Sequence, residues 1–364
     1  YDLHLEKDAF FLHHTWSKVT PGEINNPLPG AGMKTAIPWS PDCDRHQAIR
    51  VAYAGDFSCC CGVSGVKGGL WRVVQEIRFS SSLKRRSVLI VPDVMYDPSM
   101  SLKRSLAGVI PDDKISLLSD RYEVIGDLAV LDIPAGLEAY QDDIALALIS
   151  KRKNIRTVLR KSGKIEGAGR LAAFEVLIGS NTITEHHECG YRYRMDVAKV
   201  FFNSRLGTER MRVAAQVRPG ERVLVPFCGV GPFVVPAAAR GASVVAVDQN
   251  PDAIRWLFQN LVLNRVFGQV RAVRDDAFRI PRFVEPGFDR VIVPTPYGSD
   301  RILTILTGMT KKGGNIHFYT FKPEDEIGSL MESFGDNGLT CTASHKCGSV
   351  APGICRYVFD LVKE

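Results

Sequence analysis

The sequence predicts an α/β protein, most plainly over residues 196–364. Three observations carry that expectation. Strand-like and helix-like stretches alternate from about residue 196 onward, the rhythm of a parallel sheet. A glycine-rich turn, running from Val225 to Phe233 as VPFCGVGPF, falls where the first of these strands meets the first helix. Acidic residues then close the second strand, at Asp248, and follow the third, at Asp275 and Asp276.

The elements follow in order. Residues 1–105 are irregular and at first rich in Pro, Gly and Ser. Two apolar stretches there, Trp71–Ile77 and Ser87–Val91, read as strands, and the region is assigned no fold. From 106 to 195 the pattern is mixed α and β. Tyr122–Ile133 reads as a strand entering a turn at Gly126 and Asp127 and leaving through Leu128–Leu131. Leu137–Arg152 places Ile144, Leu146, Leu148 and Ile149 at helical spacing. Arg156–Leu159 and Ala172–Ile178 read as further strands. Beyond 196, Arg222–Phe227 is the first strand, Pro232–Ala239 the first helix and Ser243–Val247 the second strand. Pro251–Asn264 reads as a helix with proline at its start, where the missing amide costs nothing. Val270–Arg274, Arg290–Val293 and Asn315–Tyr319 supply three more strands, and Thr340–His345 with Cys355–Leu361 a terminal hairpin.

Composition narrows the function classes. A chain of 364 residues has room for two or three domains, and 45% hydrophobic with 24% charged residues is ordinary for a globular protein. No apolar run approaches the roughly 18 to 20 residues that span a bilayer, so no membrane segment is expected. The chain opens on Tyr1, so a trimmed sequence is expected and a targeting peptide stays open. Net charge is only +6, but half of residues 151–164 are basic: Lys151, Arg152, Lys153, Arg156, Arg160, Lys161 and Lys164. Such a run is either a solvated helix face or a surface for phosphates. Nine cysteines without a CxxC pair argue against a zinc ribbon and for a reducing, intracellular compartment. The cytoplasm, the nucleus and the mitochondrial matrix all stay open. His186, His187, Glu188 and Cys189 are too close in sequence to suit one metal, and no metal is expected.

The glycine turn, Asp248 and the Asp275–Asp276 pair together describe a nucleotide site. Glycines let backbone approach a ligand at a helix N-terminus, and a carboxylate ending the second strand can take both hydroxyls of a ribose. A dinucleotide is not favoured, because Val234 stands where the third glycine of GxGxxG belongs.

Several ordered motifs resemble the tRNA guanine-37 N1-methyltransferase family and its wybutosine-pathway relatives. They are VIGDLAVLDIP (124–134), RTVLRKSGKIEGAGR (156–170), DVAKVFFNSRLGTER (196–210), CGVGPF (228–233), VDQNPDAIRWLFQNLVLN (247–264) and GGNIHFYTF (313–321). The resemblance implies a Rossmann-like class I methyltransferase domain over 196–364. A smaller α+β RNA-facing domain at 106–195 precedes it; the resemblance does not reach residues 1–105, where a tRNA-binding module is expected only by analogy with the family's separate N-terminal domain. It implies S-adenosyl-L-methionine (AdoMet) as cofactor, tRNA as partner and a monomer as the working state. Cofactor contacts fall on Phe227, Gly229, Gly231, Asp248, Gln249, Asn250, Asp276, Ala277, Arg205 and Pro294. Glu209 aligns with the general base and Arg170 with the arginine that meets O6 of the base. RNA contacts are expected from Lys151, Arg152, Lys153, Arg156, Arg160 and Lys161, with Thr295 and Tyr297 at the base. Arg205 precedes Glu209 by one helical turn, so a surface ion pair between them is the bland alternative.

The sequence departs from the family in two places. The segment after the fourth strand is VPTPYG (293–298), with Pro294 where the family has an Asn that holds the base. The first strand ends in Val225-Pro226 where the family commonly has an Asp. Two alternatives therefore remain beside guanine methylation. One is transfer of the aminocarboxypropyl arm of AdoMet, against which Arg205-Leu206 and Gly231-Pro232-Phe233 speak. The other is an RNA-binding relative with impaired catalysis.

Overall fold

The computed structural model describes residues 101–162 and 173–364, with the backbone of three strands between 51 and 92. Arg170 and Lys164 lie outside the described residues, as do Cys43, Cys59, Cys60 and Cys61. The chain divides into two compact units: 1–120 with 133–158 and 176–180, and 121–132 with 159–175 and 181–364.

In the first unit, strands β1 (Val51–Ala52), β2 (Trp71–Ile77) and β3 (Ser87–Pro92) form an antiparallel sheet of order β1-β3-β2. Two short helices follow, α1 (Leu102–Ser105) and α2 (Asp112–Ile115). Helix α3 (Gln141–Lys151) starts later than its apolar spacing suggests, because a 3-10 turn at Glu138–Tyr140 leads into it. Asp142 and Asp143 suit its positive end, and Ile144, Ala145 and Leu148 are fully buried.

The second unit opens on the hairpin β4 (Glu123–Ile125) and β5 (Leu128–Leu131), turning at Gly126 and Asp127 as expected. Strands β6 (Thr157–Lys161) and β7 (Phe174–Ile178) occupy the stretches read as strands. A second hairpin, β8 (Ile183–Glu188) with β9 (Tyr191–Asp196), is not among the elements the sequence predicts. Its turn is Cys189-Gly190, with φ of 50° and 86°, the left-handed pair that matches the twist of a two-residue hairpin.

The rest is one open sheet with its helices. The elements are α4 (Gly207–Ala215), β10 (Arg222–Pro226), α5 (Val234–Ala239), β11 (Ser243–Asp248) and α6 (Pro251–Leu263). After them come β12 (Val270–Arg274), β13 (Phe288–Val293), α7 (Ile302–Met309) and β14 (Thr310–Lys322). Helix α8 (Ile327–Asp336) and the hairpin β15 (Leu339–Ala351) and β16 (Ile354–Lys363) close the chain. Strand order is β12-β11-β10-β13-β14-β16-β15, parallel through β14 and antiparallel beyond it. Val223, Leu224 and Val225 of central β10 are wholly buried, as a strand covered on both faces requires. Strand β14 is far longer than Asn315–Tyr319: it begins at Thr310, which pairs with Phe288 of β13, and β16 carries it on to Lys322. Helices α7 and α8 are likewise not predicted from the sequence. Phe334 of α8 meets Phe318 and Phe359 with ring centroids 6.4 and 5.1 Å away.

Successive crossovers run from β10 outward to β11 and β12, and then back to β13 on its other side. Loops at the carboxyl ends of β10 and β13 therefore diverge, which opens a crevice where open α/β sheets bind ligands. This is the Rossmann-like arrangement expected for the C-terminal region.

Candidate active site

The glycine turn is shaped by backbone that other residues resist. Phe227, Gly229 and Gly231 all have positive φ, of 53°, 55° and 95°. A Cβ on Gly231 would stand 2.5 Å from Cδ1 of Leu257 on α6, so this glycine also lets the turn lie close against α6. Gly231→Ala is expected to cost about 1–3 kcal/mol, from strain and overpacking together. A urea melt reads it directly, and an unchanged midpoint would show the turn to be slack.

Asp248 ties the turn to the second strand. Its Oδ2 accepts the Gly229 amide at 2.8 Å and its Oδ1 the Asn250 amide at 2.9 Å. Burial raises its pKa, with the two amides working against the shift. Each oxygen keeps lone-pair capacity for a further donor, which is what a ribose diol needs. Asn250 caps α6 by accepting from the amides of Asp252 and Ala253, and its Nδ2 donates to the Lys199 carbonyl at 2.9 Å. Gln249 beside it is exposed.

Asp276 caps the 3-10 helix Ala277–Arg282 by accepting the Phe278 amide at 3.0 Å, which leaves its other oxygen available; Ala277 is buried. The rings of Phe227 and Phe278, 6.3 Å apart, join the ends of β10 and β12. A glycine turn, a half-buried carboxylate and a second carboxylate thus stand at the carboxyl ends of three adjacent strands. These donors and acceptors suit an adenosyl group.

Glu209 lies in the first turn of α4 and is held on three sides of its carboxylate. Arg212 Nε and Nη2 donate to its two oxygens, each at 2.8 Å, and the Tyr319 hydroxyl donates to Oε1 at 2.7 Å. Arg212 also forks onto Asp360, at 2.6 and 3.0 Å. Asp360 Oδ1 meets His317 Nδ1 at 2.6 Å, and His317 Nε2 lies 2.7 Å from Nη1 of Arg290. An arginine only donates, so Nε2 must accept and Nδ1 must carry the ring proton. Burial lowers the pKa of His317, in keeping with a neutral ring. Burial also opposes ionisation of Asp360, but hydrogen bonds from His317 and Arg212 outweigh it and hold its pKa well below the usual carboxylate range. Arg290 ends the chain on Glu221 and the Gln216 carbonyl.

Phe233, which precedes α5, packs 5.3 Å from the ring of Tyr319, so the residue that holds Glu209 also touches the glycine turn. This contact brings the proposed base and the nucleotide turn together. Arg205 takes no part in it. Arg205 sits exposed in the 3-10 turn Ser204–Leu206, and Glu209 pairs with Arg212 instead of with it.

The remaining expected residues are dispersed. Pro294 is half-buried at the end of β13. Thr295 is buried with its hydroxyl donated to the Val293 carbonyl at 3.2 Å, so that donor is engaged within the loop. Tyr297 is 57% exposed, its ring centroid 5.8 Å from that of Phe321. The basic run is no single helix face. Lys151 ends α3, Arg152 caps it, Lys153 and Arg156 lie in the connection, and Arg160 and Lys161 end β6. Arg152, Lys153, Arg156 and Lys161 are exposed.

Sequence reasoning missed Arg212, Tyr319, His317 and Asp360. The spacing of Glu209 and Arg212 was a readable hint, but 148 residues separate Arg212 from Asp360.

Fold and site together define a Rossmann-like transferase of the class that binds AdoMet. Residues 184–335 match the TRM5/TYW2 methyltransferase domain and residues 102–182 the TYW2 N-terminal domain. The chain is 37% identical over 235 residues to tRNA (guanine(37)-N(1))-methyltransferase Trm5b of Pyrococcus abyssi, covering 62% of this chain and 70% of that one. It is 32% identical over 269 residues to the tRNA(Phe) (4-demethylwyosine(37)-C(7)) aminocarboxypropyltransferase of Pyrococcus horikoshii, covering 71% of this chain and 95% of that one. A solved complex of aTrm5 with tRNALeu superposes with a TM-score of 0.66 at 25% identity, over 80% of this chain and 93% of that one. The chain belongs to the TRM5/TYW2 methyltransferase family. Among the described residues, no helix is long and apolar enough to cross a membrane, and no cluster of His, Cys, Asp and Glu suits a metal ion.

Proposed function

We propose that the protein transfers the methyl group of AdoMet to N1 of guanosine 37 in tRNA. The observation that carries the reading is Glu209: an ionisable carboxylate oriented by Arg212 and Tyr319, with Tyr319 packed against the glycine turn. Bound AdoMet supplies an electrophilic methyl group on its sulfonium. The protein does the rest. Asp248 would hold the ribose hydroxyls of AdoMet and Asp276 its adenine side, and the turn at Phe227, Gly229 and Gly231 would let backbone approach it. Gln249, Asn250, Ala277, Arg205 and Pro294 complete the cofactor surroundings. Glu209 takes the proton from guanine N1, and Arg170 meets O6 as negative charge grows there. Tyr297 offers a ring for the splayed base and Thr295 shapes the loop beneath it.

The domain at 106–195 faces the RNA, with residues 1–105 as a further tRNA-gripping part, and the protein works as a monomer inside the cell, where tRNA and AdoMet are found. Neutralising Lys151, Arg152 and Lys153 together is expected to weaken tRNA binding and to flatten its salt dependence. The log–log slope should fall by roughly 0.7–0.9 for each phosphate that is no longer neutralised. An unmoved salt slope would mark the run as a solvated surface.

A second reading is favoured by two observations: residues 102–182 match the TYW2 N-terminal domain, and the aminocarboxypropyltransferase of P. horikoshii is matched over nearly its whole length. Incubation with AdoMet of unmodified tRNA and, in parallel, of tRNA carrying a wyosine precursor at position 37, each followed by nucleoside mass spectrometry, separates the two. A one-carbon gain on guanosine 37 supports methylation. A gain confined to the larger arm, on a wyosine precursor, overturns it in favour of aminocarboxypropyl transfer.

A further inference from the structure

Three arginines are buried among the described residues: Arg210, Arg290 and Arg356. Two are neutralised, Arg210 by Glu188 and Arg290 by Glu221. Arg356, on β16, is only 9% exposed, and among the described residues no carboxylate lies within ion-pairing distance of it. Its guanidinium stands 4.8 Å from the centre of the Phe321 ring, a contact that offsets only part of the penalty for burying an unpaired ion. Burial lowers its pKa, so the site holds this cation at a cost. A charge kept under such conditions marks a candidate functional site, where a ligand can supply the missing partner.

The register of β14 against β16 places this cation. His317 pairs with Asp360, Tyr319 with Val358 and Phe321 with Arg356. Alternate residues share a face, so these three pairs form one column on one side of the sheet. Helix α4 lies against that column, with Arg212 on Asp360 and Glu209 on Tyr319. Arg356 is therefore one pleat beyond the Tyr319–Glu209 contact, towards the carboxyl end of β14. Phe321, across from it, also carries the exposed ring of Tyr297.

We propose that Arg356 hydrogen-bonds the carbonyl oxygen of the target base while Glu209 takes the proton from the adjacent ring nitrogen. The inference rests on the methyl-transfer reading above. In guanine, N1–H and C6=O6 are neighbours. As the N1–H bond breaks, its proton passes to Glu209 and charge spreads to O6. The N1–methyl bond forms as the sulfur–methyl bond breaks, and that electron pair stays on sulfur. A guanidinium at O6 therefore binds more strongly in the transition state than in the ground state, which raises kcat rather than lowering KM. It acts from the sheet side, in addition to Arg170. An RNA phosphate is the competing partner, but it would couple Arg356 to tRNA affinity and salt instead of to the chemical step.

Single-turnover transfer to a tRNA carrying guanosine 37 tests this with the full chain. Arg356→Gln is expected to lower the rate at saturating tRNA by about 10²-fold, with AdoMet and tRNA affinities changed by less than about threefold. Arg356→Lys should recover part of the loss, and added guanidinium ion should raise the rate of Arg356→Ala. Thermal melts exclude misfolding; should the Gln variant not fold, guanidinium rescue of Arg356→Ala decides. Rates within about twofold of wild type overturn the inference, as do absent rescue of folded Arg356→Ala or a defect confined to tRNA affinity with a flattened salt slope. An active wild type with unimpaired variants overturns this inference alone. A wild type inactive on this tRNA overturns the methyl-transfer reading and carries the inference with it.

Discussion

Glu209→Gln is expected to slow methyl transfer by roughly 10²- to 10⁴-fold while AdoMet affinity stays within about twofold of wild type. The amide has the same shape and cannot take a proton at neutral pH. Its single oxygen still accepts the Tyr319 hydroxyl or one arm of Arg212, and Arg212 keeps both bonds to Asp360. The helix and the network beneath it should therefore survive, and the loss should fall on chemistry. Single-turnover rates at saturating tRNA, beside AdoMet titration of the same sample, separate the two effects. Turnover unchanged in the variant removes Glu209 as the base and leaves its triple hydrogen bonding as a packing feature.

How far this site was legible in the sequence depended on the range of the interactions. The glycine turn, Asp248 and the proline-started helix α6 could be read because each is a local arrangement of backbone and side chain. Glu209 could be named only through the family motif around it; its spacing to Arg205 suggested an ion pair that the structure does not make. Of the two residues that hold Glu209, Arg212 was near enough in sequence to be read, but Tyr319 was not, because it lies 110 residues away and reaches Glu209 through strand register. The same holds for Arg356. A lone arginine in an apolar strand reads as a snorkelling side chain until its neighbours are known. Hairpin β8–β9 was legible in principle, since the Cys-Gly turn is a two-residue signal, but the polar run Glu185-His186-His187-Glu188 masks an apolar pattern. Helix α7 was hidden by the opposite fault, an apolar run whose length fits either a strand or a short helix.

Asp248→Asn is expected to weaken AdoMet binding by roughly 10²-fold, since hydrogen bonds to a charged acceptor are worth about 1.5–3 kcal/mol each. The loss has two sources. One carboxylate oxygen becomes an NH₂ group that cannot accept a ribose hydroxyl. That NH₂ must also face the amide of Gly229 or Asn250, both donors at 2.8 and 2.9 Å, so the turn itself loosens. The pH dependence tells these apart. Burial raises the Asp248 pKa in the free protein, while hydroxyl donors on bound ligand would lower it again. Affinity should therefore be level above the raised pKa and fall as the medium is acidified through it, because only the ionised form accepts from both hydroxyls. The asparagine variant has nothing to titrate there, so its weaker binding should be flat over the same interval. Calorimetric titration of AdoMet at several pH values reads both curves. If the variant keeps the wild-type acid dependence, another group holds the ribose. If the two proteins bind equally at neutral pH, Asp248 serves the turn alone.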